Sequence, residues 1–152
     1  MTDDDTLLSI LPLAQKGYCC SQIILLLGLE VQGQTNPTLI RSASGLCHGI
    51  AGAGHTCGAL TGAACLLGLY AGKGAENEEE DERLPLMLES MAHWFAEYTS
   101  GFGGSACTDI LGKSATRPNP NVCGRLIADT MDQALAILVD NGFDPGESPD
   151  AL

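Results

Sequence analysis

Aromatic residues make up only 5% of this sequence. A core without many large rings must be filled by Leu, Ile, Ala and Gly, which suits closely packed helices. Positive charge is also scarce. Seven Lys and Arg stand against 19 Asp and Glu, for a formal net charge of −12. That balance argues against nucleic acid or an anionic membrane as a partner, because both demand a basic patch. A convincing run of alternating apolar and polar residues is missing, so no strand is expected. The longest uncharged stretch, Ser42 to Gly72, is broken by glycines and by His48 and His55. It is a poor membrane span and a good buried centre.

Several chemical signatures are missing as well. There is no C-x-x-C, which removes the thioredoxin-type pair and the zinc ribbon. The C-x-x-C-H haem attachment and the ferredoxin spacings are absent. The glycine-rich stretch lacks Gly-Lys-Ser/Thr and GxGxxG and follows no strand, so it is not a phosphate loop. No Ser/His/Asp set or carboxylate pair stands out.

What remains is a helical pattern over 152 residues with a hydrophobic fraction of 45%. The fold class read from it is all-α: one domain over residues 1–152, a compact bundle of six to seven helices around a Gly/Ala-rich central helix. The first helix spans Asp5 to Lys16 and stops at Gly17, with Pro12 predicting a kink or a late start. The second covers Cys19 to Leu29 and is apolar nearly all round, as for a buried helix. Asn36-Pro37 caps a short helix to Ala43. A glycine-rich loop, Gly45 to Thr56, leads to the central helix, Thr56 to Ala71. Leu84, Met87, Leu88, Met91, Phe95 and Tyr98 mark one face of a helix from Leu84 to Ser100. A short helix, Ala106 to Leu111, ends at Gly112. The last runs from Pro120 to Asn141, with Leu126, Ile127, Met131, Leu135 and Leu138 as its stripe. The acidic run Glu76 to Glu82 is expected to lead into a helix start, where the dipole favours it. The acidic Met1–Asp5 opening is unlike a secretory leader, and a cytoplasmic location is expected.

Seven cysteines is a high count for such a compartment, and an odd one. A disulfide framework is not expected there. Four of the cysteines fall at predicted helix starts: Cys20, Cys57 behind Thr56 as cap, Cys107 behind Ser105 as cap, and Cys123 behind Asn119-Pro120. Free N–H groups and the dipole favour negative charge at such sites, so thiolates there are better nucleophiles and metal ligands. Four such placements point to helix ends converging on one anionic object, and a cluster held by four thiolates is such an object. Gly58 and Gly62, next to Cys57 and one turn on, serve tight helix packing and also leave room for a cluster.

The other candidates have plainer readings. Cys65 is expected to be a small buried hydrophobe. Cys19 is assigned first to packing and second to a redox thiol. Cys47 is structural, or else a ligand or resolving thiol. His48 and His55 are exposed loop residues, or else ligands or donors to a cluster. His93 lies off the apolar stripe of its helix and is expected at the surface.

The same residues resemble the C-GCAxxG-C-C family of putative redox-active proteins over nearly the whole chain. Gly17-Tyr18-Cys19-Cys20-Ser21-Gln22 is similar to its opening G-Y-x-C-A-Q element. Cys57-Gly58-Ala59-Leu60-Thr61-Gly62 resembles its central C-G-A-x-x-G element. Phe102-Gly103-Gly104-Ser105-Ala106-Cys107, with Leu111-Gly112, resembles the third, and Cys123 takes the fourth position. Ser21 replaces the usual alanine, and Cys47, His48 and His55 are additions to the pattern. The resemblance implies a helical redox protein. A similar domain in split-Soret cytochromes c is associated with a two-iron cluster.

The expected function is therefore electron transfer or a redox-accessory role rather than stand-alone catalysis. Cys20, Cys57, Cys107 and Cys123 would ligate an iron–sulfur cluster, [2Fe–2S] by the resemblance, with Cys47, His48, His55 and Gly58 as added ligands or supporting groups. The alternatives are a metal-free thiol–disulfide oxidoreductase, in which Cys57 attacks, and a soft-metal module for zinc or copper. A partner oxidoreductase or metal-handling protein is expected, a homodimer is allowed, and nucleic acid and membrane are not expected partners.

Overall fold

Two helices begin on Asn-Pro steps. Asn36 Oδ1 accepts the Leu39 N–H at 3.0 Å and Pro37 opens the next turn. Asn119 Oδ1 accepts the Asn121 N–H at 3.1 Å ahead of Pro120. Proline suits the first helical position because its missing N–H has no partner there anyway. The computed structural model describes residues 3–113 and 118–149. Among them lie seven right-handed α-helices: α1 (Asp3–Gln15), α2 (Cys20–Val31), α3 (Pro37–Ala43), α4 (Gly58–Ala71), α5 (Leu84–Tyr98), α6 (Cys107–Leu111) and α7 (Pro120–Asp140). No strand forms among these residues, as the all-α reading expects; a single antiparallel bridge joins Thr56 and Ala106.

The core is aliphatic. Ile23, Ile24, Leu25, Leu27 and Leu29 of α2 are buried, as their all-round apolar pattern predicts. Each such side chain contributes about 1.5–3 kcal/mol by leaving water. α4 packs on α2 through its small face. An ideal Cβ on Gly62 would stand 2.9 Å from Ser21 Cα, so glycine sets how closely these backbones approach. Leu84, Met87, Met91 and Phe95 of α5 point inward, while Leu88 and Tyr98 sit at the margin. Leu126, Ile127, Met131 and Leu138 of α7 are buried and Leu135 is half-buried. α1 lies along α7, where the buried Thr6 hydroxyl donates to Asp132 Oδ1 at 2.9 Å. Among the described residues no helix is long and apolar enough to cross a membrane.

The acidic run is a loop that leads to the start of α5, as expected. Within it Asp81 binds Arg83 at 2.7 Å and Glu78 accepts the Gly74 N–H at 2.9 Å. Two expectations are corrected. α1 does not start late at Pro12, which lies inside it; Leu8 and Pro12 both face solvent, where losing one helical hydrogen bond is tolerated. Cys65 is exposed rather than buried, because Ala59, Gly62, Ala63, Leu66 and Tyr70 carry the packed face of α4 and Cys65 lies off it.

Between α3 and α4 the chain is unusual. After a 3₁₀ turn over Ser44–Leu46, residues Cys47–Ala51 form a turn that is left-handed, with φ of 56° at His48, 64° at Gly49 and 67° at Ile50. Ala51 follows at φ 52°. Each non-glycine residue there costs about 1–2 kcal/mol, so the turn must be held from outside.

Candidate functional site

The cysteines sit on helix starts, as the sequence predicts. Cys20 and Cys107 are the first residues of α2 and α6, Cys57 caps α4, and Cys123 lies in the first turn of α7. The caps themselves differ. Thr56 and Ser105 do not cap α4 and α6 with their side chains; they belong to the paired segments that enter those helices. The Cys57 N–H donates to the Ser105 carbonyl at 3.0 Å and the Cys107 N–H to the His55 carbonyl at 2.7 Å. The two chain segments preceding Cys57 and Cys107 are thus tied together antiparallel, which sets those helix starts side by side. A bridge this short leaves no alternating pattern, so only the fold reveals it.

Cys20, Cys57, Cys107 and Cys123 all line one cavity of about 450 Å³. Its walls are mostly apolar, with Leu7, Ile10, Ile23, Ile110 and Ile127 among them, and its described lining includes no Lys or Arg. The thiols are close enough to repel as anions. Burial pushes Cys57 up to about 12, and charge on Cys20 and Cys107 adds to this. Burial likewise raises Cys20, Cys107 and Cys123, with charge on Cys20 adding at the last two. Backbone N–H groups oppose the rise. Those of His48, Ser21, Cys20 and Gly58 face the Cys20 sulfur, those of Ala59 and Leu60 face Cys57, and that of Asn119 faces Cys123. Burial outweighs these donors, so all four thiols are raised, and the described lining offers no Lys or Arg to hold them as anions.

Four cysteines line one apolar cavity and N–H groups face three of them, the kind of donor chemistry that metal–thiolate centres use. Gly58 keeps the space clear, since a Cβ there would come within 2.3 Å of Cys20 Sγ. Among the described residues, however, no group of three or more His, Cys, Asp or Glu is arranged to hold a metal ion.

The added candidates divide. His48 is half-buried and lines the cavity, whereas the His55 side chain is exposed and only its backbone serves the site. His93 is exposed and pairs with Glu97 at 3.4 Å, as expected of a surface residue. Cys47 is not a free thiol. It pairs with Cys19 in a disulfide, with Cα atoms 5.7 Å apart across a sequence separation of 28. This corrects the assignment of Cys19 to packing. The return of the chain through α3 carries Cys47 back to the start of α2, a meeting that no local pattern announces.

A model of the C_GCAxxG_C_C family, described as putative redox-active protein, matches residues 18–137. The chain belongs to that family. No curated protein and no solved structure matches it. The C_GCAxxG_C_C match takes in all four cavity cysteines and both members of the disulfide.

Proposed function

We propose that this redox-active protein transfers electrons, or assists an oxidoreductase that does, through a [2Fe–2S] cluster held by Cys20, Cys57, Cys107 and Cys123. The observation that carries the reading is the convergence of four helix-start thiols on one apolar cavity. When bound, such a cluster would exchange single electrons. The chain's own residues would do the rest. The four sulfurs would anchor the group, and the N–H groups of Ser21, His48 and Ala59 would stabilise negative charge on them, which raises the potential. Ile10, Ile23 and Ile127 would exclude water. Gly58 would leave the space that the group needs. A partner oxidoreductase or metal-handling protein would receive or supply the electron.

The thiol–disulfide alternative at Cys57 has less support, because a nucleophilic Cys57 would need a lowered pKa, and burial raises it.

The test is anaerobic purification with a visible spectrum and analysis of iron, sulfide and zinc. Bound iron and sulfide in equal amounts, lost in Cys57→Ser, would establish the reading. A colourless protein that takes up neither on reconstitution would sink it.

A further inference from the structure

The Cys19–Cys47 pair lies outside the four-thiol set and borders the run that holds every positive-φ non-glycine among the described residues. On one side is Cys19, the residue that caps α2 and directly precedes Cys20. On the other is Cys47, which opens the left-handed turn with φ of 56° at His48, 67° at Ile50 and 52° at Ala51. The turn forms part of the cavity wall. His48 lines the cavity, and a Cβ on Gly49 would come within 3.0 Å of Cys107 Cβ. Both cysteines are half-buried, and neighbouring Tyr18, Ser44 and Gly45 are exposed. Beside the bonded sulfurs sits the buried Ser21 hydroxyl. It donates to the Ala43 carbonyl at 2.9 Å and lies 3.3 Å from Cys19 Sγ and 3.8 Å from Cys47 Sγ. It is placed to hydrogen-bond either sulfur when the bond opens.

We infer that Cys19 and Cys47 form a second redox centre, a reversible dithiol–disulfide couple that latches the Cys47–Thr56 loop over the cysteine cavity. The co-reactant is a dithiol, on a protein or a small molecule. Its thiolate attacks one sulfur of the pair, the Cys19–Cys47 bond breaks, and a mixed disulfide forms. The second thiol of the co-reactant then displaces the remaining cysteine. The co-reactant ends as a disulfide and has given up two electrons and two protons, which Cys19 and Cys47 now carry as two thiols. Without the bond, the left-handed residues lose a covalent restraint next to the turn, and the loop opens more often. Sulfur chemistry at the latch thus controls access to the cavity, whatever the cavity holds.

The experiment is hydrogen exchange with differential alkylation, on the full chain equilibrated in oxidised or reduced dithiothreitol without denaturant. In the oxidised protein Cys19 and Cys47 resist alkylation, while exposed Cys65 reacts in both states as the internal control. In the reduced protein both become alkylated together, and amides of residues 47–56 exchange about ten-fold faster or more, as expected for local opening. Cys19→Ser gives the fast pattern in either buffer. Should that variant fail to fold, the wild-type comparison decides alone. Repeating the comparison in Cys57→Ser, which lacks one of the four cavity thiols, separates the latch from any bound cluster. A latch response there with no iron or sulfide in the wild type would sink the cluster reading and leave the latch standing. The inference is overturned if Cys19 and Cys47 are alkylated in the oxidised protein, if the pair resists excess reduced dithiothreitol, or if exchange over residues 47–56 is the same in both states.

Discussion

A Cβ on Gly58 would stand 2.3 Å from the Sγ of Cys20 and 3.2 Å from the Leu46 carbonyl oxygen. No real Cβ tolerates the first contact, and the second is to backbone, which yields poorly. Gly58 therefore fixes how close the start of α4 comes to the start of α2. Gly58→Ala is expected to cost about 1–3 kcal/mol in urea unfolding, the scale of overpacking a filled site. It should also lower iron bound per chain. Gly68→Ala is the control in the same helix, because a Cβ there meets nothing within 4 Å. It should be neutral or stabilising by up to about 1 kcal/mol.

Cys123 and Cys65 give the sharpest contrast between a proposed ligand and a bystander. Cys123 faces the cavity and Cys65 is exposed, off the packed face of α4. Cys123→Ser should reduce metal affinity roughly ten-fold or more, since even residues that merely support ligands matter on that scale. Cys65→Ser should leave iron, sulfide and the visible spectrum unchanged. Equal iron content in the two variants would remove Cys123 from the ligand set.

Much of this site was legible in the sequence, for a physical reason. Helix starts leave local marks, such as Asn36-Pro37 and Asn119-Pro120, and the cysteines could be placed against those marks. The periodic stripe from Leu84 to Phe95 likewise needs only residues a few positions apart. What sequence could not show depends on distant residues meeting. The Cys19–Cys47 bond spans 28 positions, and the bridge between Thr56 and Ala106 carries no pattern at all. Cys65 was misplaced because small and apolar neighbours surround it on every side of α4, and composition alone does not say which face turns inward.

Tyr98 offers a test by pH. Its hydroxyl donates to Asp129 Oδ2, whose carboxylate also pairs with Arg125, and its ring lies on Trp94 with centroids 4.9 Å apart. Burial, and then the hydrogen bond to Asp129 and its negative charge, push the phenol from 10.0 up to about 12. A folded pKa above the unfolded one means that the folded state holds the proton more tightly. The stabilisation is complete below pH 10.0 and is lost as pH rises towards about 12. Tyr98→Phe should lower stability by about 1 kcal/mol at neutral pH, the worth of one hydrogen bond. It should also make the alkaline loss of stability shallower. Phenolate absorbance would follow the titration directly, and a wild-type Tyr98 that ionises at its ordinary pKa would refute the contact.

The left-handed turn allows a substitution that should strengthen the protein. Ile50 has φ 67° and is 47% exposed. A β-branched residue in that conformation is strained, by about 1–2 kcal/mol. Glycine adopts it freely, although it loses about 0.5–1 kcal/mol through the greater freedom of the unfolded chain. Truncating Ile50 would also give up its buried half, about 1 kcal/mol, which cancels the gain. Ala51 follows in the same turn at φ 52° and is small and exposed, so little burial is sacrificed there. Ala51→Gly should therefore raise stability by about 0.5–1 kcal/mol, read as a higher urea midpoint with an unchanged slope. The gain should persist in the reduced protein, since the backbone strain belongs to the turn and not to the sulfur bond. A loss of stability in both states would mean that Ala51 does not occupy the left-handed region.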